Sequence, residues 1–237
     1  MSLTIGTGPF GTHPAGRFNF DPPADVVYVE RFPRRVRAEQ NGKTVVDSDR
    51  AVFVHVHGQL PHYAFPPEDV RIAAHPDPHA TGYVIVPWEK ADRWLEEDDV
   101  VKVHPRDPYH RIDAYATSRH VTISLDGTVL ADTRRATALY ETGLPTRWYV
   151  PFDDVRTELL VESETVTQCA YKGTARHWSA RVGDTVHPDV AWSYGHAEVW
   201  HDGELVRGLV AFYDERVDVE IDGVRQSRPQ TAWSRDD

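Results

Sequence analysis

Cysteine is almost missing from this chain of 237 residues: Cys169 is the single one. A lone thiol excludes an internal disulfide framework and every multi-thiolate zinc or iron–sulfur site, and it predicts a reducing, cytoplasmic address. Basic residues are also in deficit, with 26 Lys and Arg against 37 Asp and Glu and a formal net charge of −11. Such a field repels phosphate backbones and anionic lipids, so neither nucleic acid nor a membrane surface is expected as a partner. No apolar run approaches the ~18–20 residues of a membrane span, and the first residues lack the basic and apolar segments of a secretion signal. Helical periodicity is scarce as well.

What the chain does have is strand patterning. Short β-branched and aromatic runs such as Gly82–Val86, Leu209–Tyr213 and Val217–Ile221 predict strands. Asn41-Gly42, Asp126-Gly127 and Asp222-Gly223 predict tight hairpin turns, because both central residues of such a turn need positive φ. One helix of about three turns is expected over Pro87–Asp98, where Trp88, Ala91 and Leu95 share a face. Single turns are expected at Pro67–Ile72 and Pro151–Leu160.

An internal repeat organises the rest. Arg34–Arg71 aligns without gaps to Arg119–Arg156 at an offset of 85, with eleven identities that include Gly42/Gly127, Arg50/Arg135, Pro66/Pro151 and Asp69/Asp154. A second match, Arg111-Ile112-Asp113 to Arg216-Val217-Asp218 at an offset of 105, predicts about twenty extra residues in the second copy. The expected organisation is an arm over 1–25, a shortened first repeat domain over 26–115, a complete second repeat domain over 116–225 and a flexible tail over 226–237. Phe10, Phe18 and Phe20 should hold the arm against the body. An arm of this kind can also reach a second subunit, which makes a homodimer one reading of it.

The stretches ADTRRATALYETGLPTRWYVPFDDV, TQCAYKGTARHWS, AWSYGHA and GLVAFYDERVDVEIDG resemble the bacterial and fungal family of the domain of unknown function 427. The first copy resembles the shorter partner of two-copy members through VPWEKADRWLEEDD and HPRDPYHRID. The resemblance implies a mainly β fold of two tandem small β-tent domains, similar to methionine-sulfoxide-reductase and Mss-type zinc proteins, with one or two short helices. Those relatives hold zinc with cysteine pairs, which this chain lacks, so zinc is not carried over. The family usually has Pro after the motif cysteine, where this chain has Ala170. Its nucleotidyltransferase-like label finds no Gly-rich phosphate loop and no paired-carboxylate metal site here.

Candidate chemistry gathers in the second copy. Lys172, Cys169 and Tyr171 are the catalytic candidates: a lysine near a thiol can stabilise a thiolate, and a desolvated lysine can act as base or amine nucleophile. The plainer reading is a buried thiol, a packed tyrosine and a turn at Gly173. Trp178, Trp192, Tyr194 and Tyr213 are candidates for an aromatic ligand pocket, against the alternative of core filling, which is the expectation for Trp200 and Phe212. Arg134 and Glu141 join them because the first copy has Asp49 and Val56 in their places. The shared Arg50 and Arg135 instead predict a buried structural pair with Asp47 and Asp132. Among His55, His57 and His62, the H-x-H spacing puts His55 and His57 on one strand face within reach of one metal, but no carboxylate stands beside them in the sequence, so a packed or exposed histidine pair is expected, with no metal and no cofactor. The sequence thus points to a small organic molecule bound by the second repeat, either as an enzyme using Lys172, a tyrosine and Cys169 or as a plain binder. The alternatives are a non-catalytic interaction module and a nucleotidyltransferase-like enzyme.

Overall fold

The computed structural model describes residues 3–234, the side chains of 196 and 197 left aside. The chain divides into two compact units, 1–110 and 111–237.

The first unit contains β1 (Val27–Arg31), β2 (Val36–Gln40), β3 (Lys43–Ser48), β4 (Val52–Val56), β5 (His62–Ala64), β6 (His75–Pro76), β7 (Val84–Ile85), β8 (Arg93–Glu96) and β9 (Asp99–Val101). They form open antiparallel sheets ordered β1-β4-β5, β3-β2-β8-β9 and β6-β7. Phe32, Val36, Ala38, Val46, Phe53, Tyr63, Phe65 and Trp94 make one buried cluster. The arm lies against this unit: Thr4 is fully buried and its carbonyl accepts from the Gly58 amide at 2.8 Å. Within the arm the Phe10 and Phe18 rings stack at 5.1 Å and Phe20 follows at 4.9 Å.

The second unit contains β10 (Ile112–Ala116), β11 (Val121–Leu125), β12 (Thr128–Thr133), β13 (Thr137–Glu141), β14 (Arg147–Pro151), β15 (Leu160–Cys169), β16 (Gly173–Val182), β17 (Thr185–Val199), β18 (Leu209–Phe212), β19 (Asp218–Ile221) and β20 (Val224–Arg225). A seven-stranded sheet runs β10-β13-β14-β18-β17-β16-β15, and a four-stranded sheet runs β12-β11-β19-β20. One buried cluster joins Val150, Ala191, Val210 and Phe212 of the first sheet to Val121, Ile123, Leu130, Val219 and Ile221 of the second. The other face of the seven-stranded sheet carries Leu139, Tyr149, Trp192, Tyr194 and Tyr213.

Pairings recur at the offset read from the sequence. Val27 pairs with Val56 as Ile112 does with Glu141, and the β2/β3 and β11/β12 hairpins break register after Ala38 and after Ile123. Their turns at Asn41-Gly42 and Asp126-Gly127 have φ of 51° and 72°, and 48° and 77°, as the hairpin chemistry demands.

Four expectations need correction. Pro87–Asp98 is no helix: Trp88–Lys90 is a single 3-10 turn and Arg93–Glu96 is strand β8. The 3.6-residue spacing is overridden by pairing of β8 with β2 on one side and β9 on the other, and by the Trp88 and Trp94 rings stacked at 5.0 Å. Helical structure among the described residues is confined to five 3-10 turns. Second, Arg111–Asp113 opens the second unit through β10, and Asp218–Ile221 takes the place of Arg93–Glu96: Val36 pairs with Glu96 where Val121 pairs with Ile221. Glu96 to Ile221 is an offset of 125, against 85 upstream, so the stretch between the matching strands is about forty residues longer in the second unit, rather than twenty, and holds β15, β16 and β17. Third, Arg50 and Arg135 pair with Asp69 and Asp154, at 2.7 and 2.6 Å, and not with Asp47 and Asp132. Both arginines are more than half exposed, because their carboxylates sit in the 3-10 turns after β5 and β14 rather than in the core. Finally, the tail is docked up to Ser234: the Thr231 hydroxyl donates to Glu215 at 2.5 Å and the Trp233 carbonyl accepts from Arg216 at 3.4 Å. Residues 235–237 of that tail lie outside the described residues.

Candidate functional site

Strand alternation sorts the chemistry of the second unit. Along β14, Arg147 and Tyr149 turn toward the face that carries Trp192, while Trp148 packs on the opposite cluster. Glu141 ends β13, Trp192 and Tyr194 come from β17, and Tyr213 follows β18 on the same face. Over this face comes the turn between β15 and β16, in which Ala170, Tyr171 and Lys172 are all buried.

That turn is held by backbone contacts. The Lys172 carbonyl accepts from the Trp200 amide and the Tyr171 carbonyl from the Asp202 amide, both at 3.2 Å. A Cβ on Gly173 would meet the Glu198 carbonyl at 2.4 Å, and one on Gly203 would meet the Lys172 carbonyl at 2.0 Å, so only glycine lets the two segments lie this close. Gly195, at φ +116°, sits where β17 leaves β18.

The result is an ion pair between the Lys172 ammonium and the Glu141 carboxylate, both almost fully buried. Burial pushes the Lys172 pKa down, but Glu141, Cys169 and Tyr149 outweigh it and the ammonium is held above its ordinary range. Tyr149 is pushed up to about 12 by burial, with the Lys172 charge and the Trp192 hydrogen bond pulling the other way. Its hydroxyl accepts from Trp192 Nε1 at 3.1 Å. Tyr194 is raised well above its usual range, first by burial and then by Tyr149, Cys169 and Glu141. Cys169 is partly exposed and packs against the same cluster.

Beside this cluster lies a second group of buried polar residues. Arg147 grips Glu215 with both arms of its guanidinium, at 2.6 and 2.9 Å, and stands 5.7 Å over the Trp192 ring. Buried His177 faces the Tyr213 ring at 6.1 Å and pairs through Nε2 with Thr167 at 2.9 Å. Burial lowers the His177 pKa, which favours the neutral ring. Arg216, only partly buried, flanks the group 4.2 Å over Tyr213.

Lys172, Glu141, Cys169, Trp192, Tyr194 and Tyr213 are therefore brought to one face, and Tyr171 sits in the turn that covers it. Trp178 is not among them: it packs on the opposite cluster, with its ring 5.6 Å from Phe152. Arg134 is exposed and acts on Asp222 at the end of the smaller sheet. Sequence reasoning missed Tyr149, Arg147, His177 and Glu215. A charged residue in the apolar strand Arg147-Trp-Tyr-Val150 was the available signal for Arg147 and its partner.

In the first unit His55 is completely buried, with Nε2 3.0 Å from Glu30, whereas His62 pairs with Asp77 at 2.7 Å. Among the described residues no group of three His, Cys, Asp or Glu could hold a metal ion, and no helix is long and apolar enough to cross a membrane.

No curated protein is significantly similar to the chain. The family model of the domain of unknown function DUF427 matches residues 28–84 and 113–223, well over half of the chain, and spans both groups of buried polar side chains. The chain belongs to the DUF427 family.

Proposed function

We propose that the second unit binds a small organic molecule against the face formed by Tyr149, Trp192 and Tyr194, with Lys172 as the charge that orients it. The carrying observation is the buried Lys172–Glu141 pair ringed by Tyr149, Tyr194 and Cys169. A buried ion pair is weak evidence for stability, because desolvation offsets the Coulomb gain. Several titratable groups shifted together are instead what binding and catalytic sites accumulate. Aromatic walls with a few convergent polar groups also suit a small-molecule site. Lys172 and a tyrosine would serve as proton donor and acceptor if the ligand is turned over, with Cys169 as nucleophile.

In this proposal the chain is a tandem duplication in which the first copy lacks this site, since Val56 stands where Glu141 does and the residues around Lys172 have no counterpart. The single free cysteine suits the cytoplasm.

A thermal-shift screen against metabolites tests the reading. A ligand that binds only the folded state at a hundred times its Kd adds ~2.7 kcal/mol of stability. A hit that vanishes in Lys172→Ala and weakens in Tyr194→Phe supports the site; a hit untouched by both variants refutes it. Exposed Tyr115 and Tyr140, in ring contact at 6.1 Å on edge strand β10 and its neighbour, favour a second reading as an interaction module or homodimer. Sedimentation of the wild type beside Tyr115→Ser distinguishes that case.

A further inference from the structure

On the opposite side of β14 from Tyr149, Trp148 walls a cleft of about 310 Å³ together with Tyr140, Arg119, Val217, Val219 and Pro229. The volume is at the small end of ligand pockets. Asp214 also lines it, with its side chain 14% exposed. The charges around the cleft are unevenly shared: Asp222 faces both Arg119 and Arg134, whereas Asp214 and Glu215 face the single guanidinium of Arg147. Arg147 is committed to Glu215 through both arms of its fork and reaches Asp214 only at 3.8 Å. Arg119 donates to Asp222 at 2.8 Å while its guanidinium lies 5.9 Å from the Trp148 ring. Among the described residues, none but Asp214 itself donates a hydrogen bond to the Asp214 carboxyl. At the Asp214 end of the cleft two carboxylates thus share one guanidinium, beside walls that carry an indole and a phenol.

We propose that this cleft binds a small organic cation, a primary amine or guanidinium carried on a flat apolar body, with Asp214 as its counter-charge and Trp148 and Tyr140 as its walls. An ammonium or guanidinium gains from a carboxylate in partial burial and from aromatic faces within about 6 Å. An anion would meet Asp214, and a neutral molecule would leave its charge uncompensated. The site is separate from the Lys172 cluster and does not depend on it.

The groups facing Asp214 are Arg147 and Glu215, with Arg119 and Asp222 across the cleft and Arg134 beside Asp222. Burial pushes the Asp214 carboxyl up to about 7, with Arg147 pulling it down and Glu215 adding to the rise. A cation must therefore displace a proton below neutrality, and affinity should climb as pH rises through about 7 and then level.

The test is calorimetric titration of the full chain with benzylamine and phenylguanidine, beside benzyl alcohol and benzoate as the neutral and anionic shapes, at pH 6, 7 and 8. The two cations should bind at least tenfold more tightly than the other two probes, more weakly at pH 6 than at pH 8. Asp214→Asn should weaken them at least tenfold, and Tyr140→Ala, at an exposed position, severalfold without lowering the melting temperature. The Trp148 indole N–H resonance, assigned by its loss in Trp148→Phe, should move on titration. The proposal is overturned if neither cation binds at about 10 mM, if benzoate or benzyl alcohol binds equally well, or if Asp214→Asn binds as the wild type does.

Discussion

The Lys172 ammonium is buried against the Glu141 carboxylate although their segments are far apart in the sheet. Glu141 ends β13 and Lys172 precedes β16, with β14, β18 and β17 between them. Four strand steps span about 19 Å in a flat sheet, more than two side chains can bridge. The sheet face is therefore concave, and the β15–β16 turn arches over Tyr149, Trp192 and Tyr194. The β15–β16 hairpin and the Trp200–Gly203 segment against it build that arch.

Glu141→Gln should be more damaging than removal of both charges. The single change strands a buried ammonium and should cost about 3–5 kcal/mol. The double variant Glu141→Leu with Lys172→Met should be neutral or stabilising by ~1–4 kcal/mol. Urea denaturation of the three proteins at one pH measures both differences. A double variant no more stable than Glu141→Gln would show that the pair itself holds the arch.

Alkaline pH should unfold the second unit through this cluster. Lys172 keeps its proton in the folded protein beyond its unfolded pKa, so its contribution is complete below about 10.5 and is lost as pH rises through the folded value. Tyr149, pushed to about 12 when folded against about 10 unfolded, loses stability in the same direction over about pH 10–12. Tyr149→Phe should flatten the stability curve in that window, as followed by circular dichroism, and leave neutral pH nearly unchanged apart from the lost Trp192 hydrogen bond.

Much of the fold was legible because it rests on local rules. Asp126-Gly127 and Asn41-Gly42 demand positive φ, and no neighbouring strand alters that. The eleven shared residues gave the 85-residue offset that the pairings follow. Trp88–Leu95 misled because the same apolar spacing serves a helix and a 3-10 turn running into a strand, and only β2 decides between them. Lys172 and Glu141 each stood out singly, but their pairing depends on sheet curvature, which no linear pattern carries. Trp178 lies apart from the others for a simpler reason: strand alternation puts His177, its neighbour, on the polar face and sends Trp178 to the opposite cluster.

Asp214 should make the protein more stable in mild acid than at neutrality. Its folded pKa of about 7 lies above the ordinary 3.8. Between those values the folded state holds a proton that the unfolded state has lost, so stability falls as pH rises from about 4 to 7 and is level above. The difference is at most about 4 kcal/mol. Asp214→Asn should abolish this slope and be more stable than the wild type at pH 8; an unchanged slope would assign it to other carboxylates.

Two glycines with positive φ should respond very differently to alanine. At Gly127, φ +77°, a Cβ meets nothing within 4 Å, so Gly127→Ala incurs only the backbone penalty of about 1–2 kcal/mol. At Gly173, φ +108°, the same Cβ meets the Glu198 carbonyl at 2.4 Å and Val199 Cα at 3.0 Å, both backbone atoms that cannot rotate away. Gly173→Ala must push the Trp200–Gly203 segment off the turn, break the Trp200-to-Lys172 hydrogen bond and lift Lys172 from Glu141. Its cost should exceed that of Gly127→Ala by at least about 2 kcal/mol. Amide exchange separates local from general damage: in Gly173→Ala protection should fall at Trp200 and Asp202 but persist in β11 and β12, whereas equal loss in all of them would mean that the arch and the core fold as one unit.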